Sequence, residues 1–120
     1  MAIFQNQATL TYNDNTVNSN IVTGEIVEVL SITKASLNSS YSTGDTVTYI
    51  TSVINSGSTA FSGITLTDNL GGYEFGTRVL YPLTYVEGSA ALFVNGLRQP
   101  VTATVTDGQL VLTGITIPAN

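Results

Sequence analysis

Apolar and polar residues alternate at a period of two along most of this chain, and no stretch repeats at the period of a helix. Residues 46–55 are the cleanest case, with Val47, Tyr49, Thr51 and Val53 on one face. Such alternation, rich in Thr, Val and Ile, suits a pleated strand whose side chains point to opposite sides. It restricts the chain to all-β architectures.

Turn residues separate the runs. Residues 2–12 form a first run in which Phe4, Ala8, Leu10 and Tyr12 share a face with Asn6. Asn13-Asp14-Asn15-Thr16 is a turn cluster, and a second run at 17–23 can return as a hairpin. Gly24 interrupts it, and the run 25–33 changes parity between Val29 and Leu30, the mark of a bulge or a change of sheet. A loop is expected at 36–45, then strands at 46–55 and 61–70, with a bulge at Gly63. Residues 77–86 read as a weaker strand that Pro82 moves to a sheet edge. Asn95-Gly96 and Asp107-Gly108 are the strongest hairpin signals, because a type I′ turn needs φ > 0 at both central positions. They join 90–94 to 97–101 and 102–106 to 109–112, before a last alternating run through Ile115 and Ile117. Many short strands at regular spacing predict a β-sandwich or barrel, and the preferred architecture is an immunoglobulin-like Greek-key β-sandwich with an additional N-terminal strand or hairpin. The expected division is a 1–29 extension, packed on its own domain or on a neighbour, and a 30–120 sandwich.

Composition narrows the function. At 120 residues the chain has the length of one domain, and 42% hydrophobic residues suffice for a core. Only 9% of residues are charged, against about 25% in a typical domain. A surface of hydroxyls and amides repels its own copies weakly. With three basic residues and a net charge of −5, the chain has no basic stripe for nucleic acid. No apolar run approaches the roughly 20 residues of a membrane-spanning helix. Without Cys or His, thiolate metal sites and the commonest acid–base residue are missing. The pairs Glu25/Glu28 and Glu74/Glu87 read as solvated acids, and Asp14, Asp45, Asp68 and Asp107 stand in or near turns, where Asp is expected. No enzyme, cofactor or metal is expected.

Lys34-Ala35-Ser36, Gly44-Asp45-Thr46-Val47-Thr48-Tyr49, Val53-Ile54-Asn55-Ser56-Gly57 and Ile64-Thr65-Leu66-Thr67-Asp68-Asn69-Leu70 follow one another in an order that resembles the bacterial and archaeal surface-repeat family called domain of unknown function eleven. The resemblance covers about residues 30–120, and the opening stretch looks like the N-terminal part of clostridial members. It implies an immunoglobulin-like sandwich without enzymatic activity, on a cell surface or in a spore appendage. Two departures stand out. Thr51 replaces a usual apolar residue, and family members continue past an element like Pro118-Ala119-Asn120 into a strand that closes the domain.

An open sheet edge invites a strand from another subunit. The expected partner is therefore a second copy or a related subunit, with Phe4, Ala8, Leu10, Tyr12, Ile50 and Ile54 as candidate self-association residues. Whether the N-terminal strand pairs within its own chain or with a neighbour stays open. The alternative is an adhesin module that binds a glycan or host protein through Tyr73, Tyr81 or Tyr85. Lys34, the only lysine, is the candidate for an isopeptide bond to Asn55 or Asn69. No secretory signal peptide is legible at the N-terminus, which suits a protein deposited on a spore from the surrounding cell.

Overall fold

A computed structural model describes residues 2–120. The described residues are all-β, 55% strand without a helix, arranged in several small antiparallel sheets. Thirteen strands follow one another: β1 (Ala2–Asn6), β2 (Thr9–Tyr12), β3 (Asn15–Asn18), β4 (Val22–Ile26), β5 (Leu30–Ser36), β6 (Tyr49–Asn55), β7 (Phe61–Asp68), β8 (Tyr73–Phe75), β9 (Arg78–Leu80), β10 (Leu92–Val94), β11 (Leu97–Gln99), β12 (Thr102–Thr106) and β13 (Gln109–Ile117).

The N-terminal run is two strands, not one. β1 pairs with β4 and β2 with β3, so residues 2–26 form one long hairpin. The register places Asn6 opposite Val22 but Thr9 opposite Asn18. Two residues on the outgoing arm thus face three on the returning arm, which is a β-bulge. Ser19 secures it: its N–H donates to the Ala8 carbonyl at 2.9 Å, and its Oγ accepts from the Ala8 N–H at 2.9 Å. The tip is tighter than the expected four-residue cluster. Asn13 and Asp14 alone turn the chain, both at positive φ (42° and 60°). Gly24 does not interrupt its strand either. It lies opposite Phe4, whose ring occupies the space a Cβ would need, 2.3 Å from the nearest ring atom.

The parity change at Val29 marks a departure from one ribbon into another, since residues 27–29 lie outside the strands. β5 then pairs with β6 from Leu30 opposite Asn55 to Ser36 opposite Tyr49. The expected strand at 46–55 begins three residues late, at Tyr49.

The central sheet has the order β12-β13-β7. Two register shifts interrupt the pairing of β13 with β7. One places an extra residue in β7 at Gly63 (φ 65°), as its glycine signalled, and the other places one in β13 at Gly114 (φ 78°). They compensate, so Leu112 opposite Leu66 and Ile117 opposite Phe61 keep one common register. Asn95-Gly96 and Asp107-Gly108 turn their hairpins with all four φ values positive. The expected strand at 77–86 is a correction: only Arg78–Leu80 pairs, with Tyr73–Phe75, and the chain from Tyr81 through Pro82 leaves the ribbon.

Burial is sparse. Among the described residues the buried apolar side chains are Leu70, Ile115 and Ile117. The buried polar side chain among the described residues is Asn55. Its Nδ2 donates to the Thr59 carbonyl at 2.8 Å and to the Pro118 carbonyl at 3.0 Å, while its Oδ1 accepts from the Gly57 N–H at 2.9 Å. It fastens the end of β6 to the turn after it and to the chain beyond β13. Removing it leaves three backbone groups without partners. Asn55→Ala is expected to lower unfolding free energy by about 2–3 kcal/mol in urea titration. Asn55→Asp, which sets a carboxylate against two carbonyl oxygens, is expected to be at least as damaging.

Candidate functional site

The hairpin of residues 2–26 is amphipathic. Residues directly opposite in an antiparallel pair project to the same side. On one side of β1/β4 lie Ala2, Phe4, Val22 and Ile26, with Asn6; on the other lie Ile3, Gln5, Thr23 and Glu25. In β2/β3, Leu10 faces Val17 and Tyr12 faces Asn15, against Thr9, Thr11, Thr16 and Asn18 on the reverse. The apolar side is uncovered. Every residue from 2 to 26 except Gly24 is exposed, with Leu10 at 64% and Val22 at 60%. Four of the candidate self-association residues belong to this hairpin. Phe4, Leu10 and Tyr12 stand on strands, while Ala8 sits at the bulge, outside both. Val17, Val22 and Ile26 complete the stripe. They escaped the sequence reading because each is defined by the strand opposite, not by its own run.

Ile50 and Ile54 lie on the outer face of β5–β6 with Ser31, Thr33, Ala35 and Ser52, at 54% and 63% exposure. Neither this face nor the hairpin stripe carries a charge. The charged residue of the ribbon, Lys34, stands on the inner face opposite Thr51.

That inner face meets β7 across a cleft of about 250 Å³ lined by Ile32, Lys34, Thr51, Leu66, Thr67, Asp68 and Asn69. Lys34 Nζ donates to Asp68 Oδ2 at 2.5 Å and lies 4.1 Å from the centroid of the Tyr49 ring. Tyr49 is its diagonal neighbour on the ribbon, close enough for a cation–π contact. Asp68 Oδ1 accepts from the Leu70 N–H at 2.9 Å. Partial burial alone would raise the Asp68 carboxyl, but the Lys34 hydrogen bond, the Leu70 N–H and the Lys34 charge outweigh it and hold it below its ordinary value. The two isopeptide candidates are placed differently. Asn55 is four residues along β6 from Thr51, about 13 Å at strand spacing, and its amide is already engaged. Asn69 shares the cleft, with its Oδ1 accepting from the Gly71 N–H at 3.0 Å.

The three tyrosines are unequal. Tyr73 is exposed, whereas the Tyr81 hydroxyl donates to the Asp107 carbonyl at 3.2 Å and its ring lies against Gly108 and Gly72. The Tyr85 hydroxyl accepts from the Ala90 N–H at 3.2 Å. Among the described residues, no group of three or more acidic side chains is placed to hold a metal ion, and no helix is long and apolar enough to cross a membrane.

Comparison with protein-family models, curated proteins and solved structures finds no match to this chain.

Two measurements probe the Lys34 cluster. A carboxyl held below its free value stabilises the fold above the unfolded pKa, and the contribution is lost as pH falls through the folded value. The stability gap between the parent and Asp68→Asn is therefore expected to be constant near neutral pH and to close below pH 3.8. With Lys34 40% exposed, the gap is expected to stay below about 1 kcal/mol. Intact mass is expected to be that of the unmodified chain, since the Asn55 amide is engaged by two carbonyls and Asn69 by the Gly71 N–H, although Asp68 stands where an assisting acid would. Loss of one ammonia would instead establish a bond to Asn69 or Asn55.

Proposed function

We propose that this chain is a structural subunit of a bacterial surface or spore appendage and self-associates through its β-strand edges. One observation carries the reading: the folded chain leaves far more surface exposed than a self-sufficient domain. Its accessible surface is 9474 Å², against about 6,200 Å² for a compact monomer of 12.6 kDa. Its radius of gyration is 22.4 Å, where about 14 Å is usual for 120 residues. The excess of about 3,300 Å² falls in the range of obligate interfaces. The sheets agree with this. Two-stranded ribbons are marginal alone in water and need a third strand or a covering layer, and five of the six sheets are two-stranded.

The facing of β5–β6 and β7 across the Lys34 cleft supports an immunoglobulin-like sandwich as the underlying plan. The motif order from Lys34 to Leu70 supports the likeness to the surface-repeat family. Low charge supports assembly over charge-steered binding. The adhesin reading draws on Tyr73, but Tyr81 and Tyr85 are spent on holding loops, which favours the structural subunit.

Purified chain is expected to sediment as oligomers whose size grows with concentration, and electron microscopy is expected to show extended assemblies. The association is expected to survive 1 M salt, where screening acts within about 3 Å, because it rests on apolar area. A monomer at every concentration would remove the proposal.

A further inference from the structure

The hairpin stripe and the outer face of β5–β6 are both uncharged and uncovered, and both present exposed apolar side chains. Resting on the assembly reading above, the geometry points to a trans arrangement in which the hairpin of residues 2–26 packs its Phe4–Leu10–Tyr12 side over Ile50 and Ile54 of a second copy.

Three features argue for it. The charges are segregated. Glu25 lies on the reverse of the hairpin opposite Ile3, Asp14 is at its tip, and Lys34 is on the inner face of its ribbon. Face-to-face packing therefore strands no charge in an apolar layer. The lengths suit as well. The outgoing arm of the hairpin reaches about 36 Å and β5–β6 about 23 Å, so one hairpin covers the ribbon from end to end. The occupant follows from area: the whole chain exposes about 3,300 Å² more than a compact monomer, surface that a second copy can cover and of which this contact takes a part.

The connection to β5 disfavours the same packing within one chain. Val29 is anchored, its carbonyl accepting from the Ser56 N–H at 2.8 Å and from Ser56 Oγ at 3.1 Å. Its side chain packs closely on Gly57, 3.1 Å from where a Cβ there would stand. Three Cα steps separate Ile26 from Val29 and reach about 11 Å fully extended, so crossing the about 10 Å between packed layers leaves almost no length with which to reverse the chain.

The chain contains no cysteine, so it reports cleanly on introduced ones. Full-length Leu10→Cys and Ile54→Cys variants are mixed and treated with a short flexible bis-maleimide, and products are read by mass. The expected product is a pair carrying one of each variant, in excess of like-with-like pairs. A parallel Leu10→Asp chain is expected to sediment at smaller size. Predominant Leu10→Cys pairs would overturn the proposal in favour of hairpin-to-hairpin contact. So would linking confined to one chain when both cysteines are on it. In either case the parent chain still sediments as oligomers, and the assembly reading stands. A monomeric parent, together with no mixed product from the two variants, would overturn both.

Discussion

Asn55 is the interaction on which the body of the molecule depends. A buried amide must find partners for both ends, and here two come from the turn that follows it and one from a segment 63 residues away. The turn after β6 supplies the Gly57 N–H and the Thr59 carbonyl, and the segment after β13 supplies the Pro118 carbonyl. The link ties the β5–β6 ribbon to the central sheet close to Ile115 and Ile117, where apolar burial is greatest. A hydrophobic contact there would tolerate sliding. An amide with three directional bonds does not, so it sets the relative position of the two layers.

The Lys34–Asp68 pair acts at the other side of the same junction. It bridges β5 and β7 across a cleft that apolar side chains do not fill. Thr51, which stands where the surface-repeat resemblance leads one to expect an apolar residue, lines that cleft. A hydroxyl in place of a larger apolar group leaves room that an ion pair and a tyrosine ring occupy in part. The layers therefore meet through polar contacts at two points, with little apolar core between them. The missing burial lies on outward faces, above all the hairpin, which the proposed association between copies would cover.

Much of the strand pattern was legible because it rests on local chemistry. Asn95-Gly96, Asp107-Gly108 and Gly63 each announced a backbone requirement, positive φ, that few other residues meet, and each stands where that requirement falls. The errors arose where two strands must agree. Residues 2–12 read as one alternating run, yet they form two strands because the bulge lies in the returning arm, around Ser19. Gly24 looked like an interruption because the Phe4 ring above it belongs to another part of the chain. Gly114 gave no signal of its own, since a bulge is a property of register with β7. At the candidate site, Phe4, Leu10, Tyr12, Ile50 and Ile54 were found from their runs, whereas Val17, Val22 and Ile26 needed the pairing.

By itself the sequence determined the all-β class, the hairpin turns and the scarcity of charge, since periodicity, turn chemistry and composition act over a few residues. The tertiary structure alone decided which faces are covered. Burial depends on register, on the Asn55 link and on the short connection at 27–29, and these join residues that no local pattern relates. For this reason the same alternation yields a partly buried face in β13 and a bare one in the hairpin of residues 2–26.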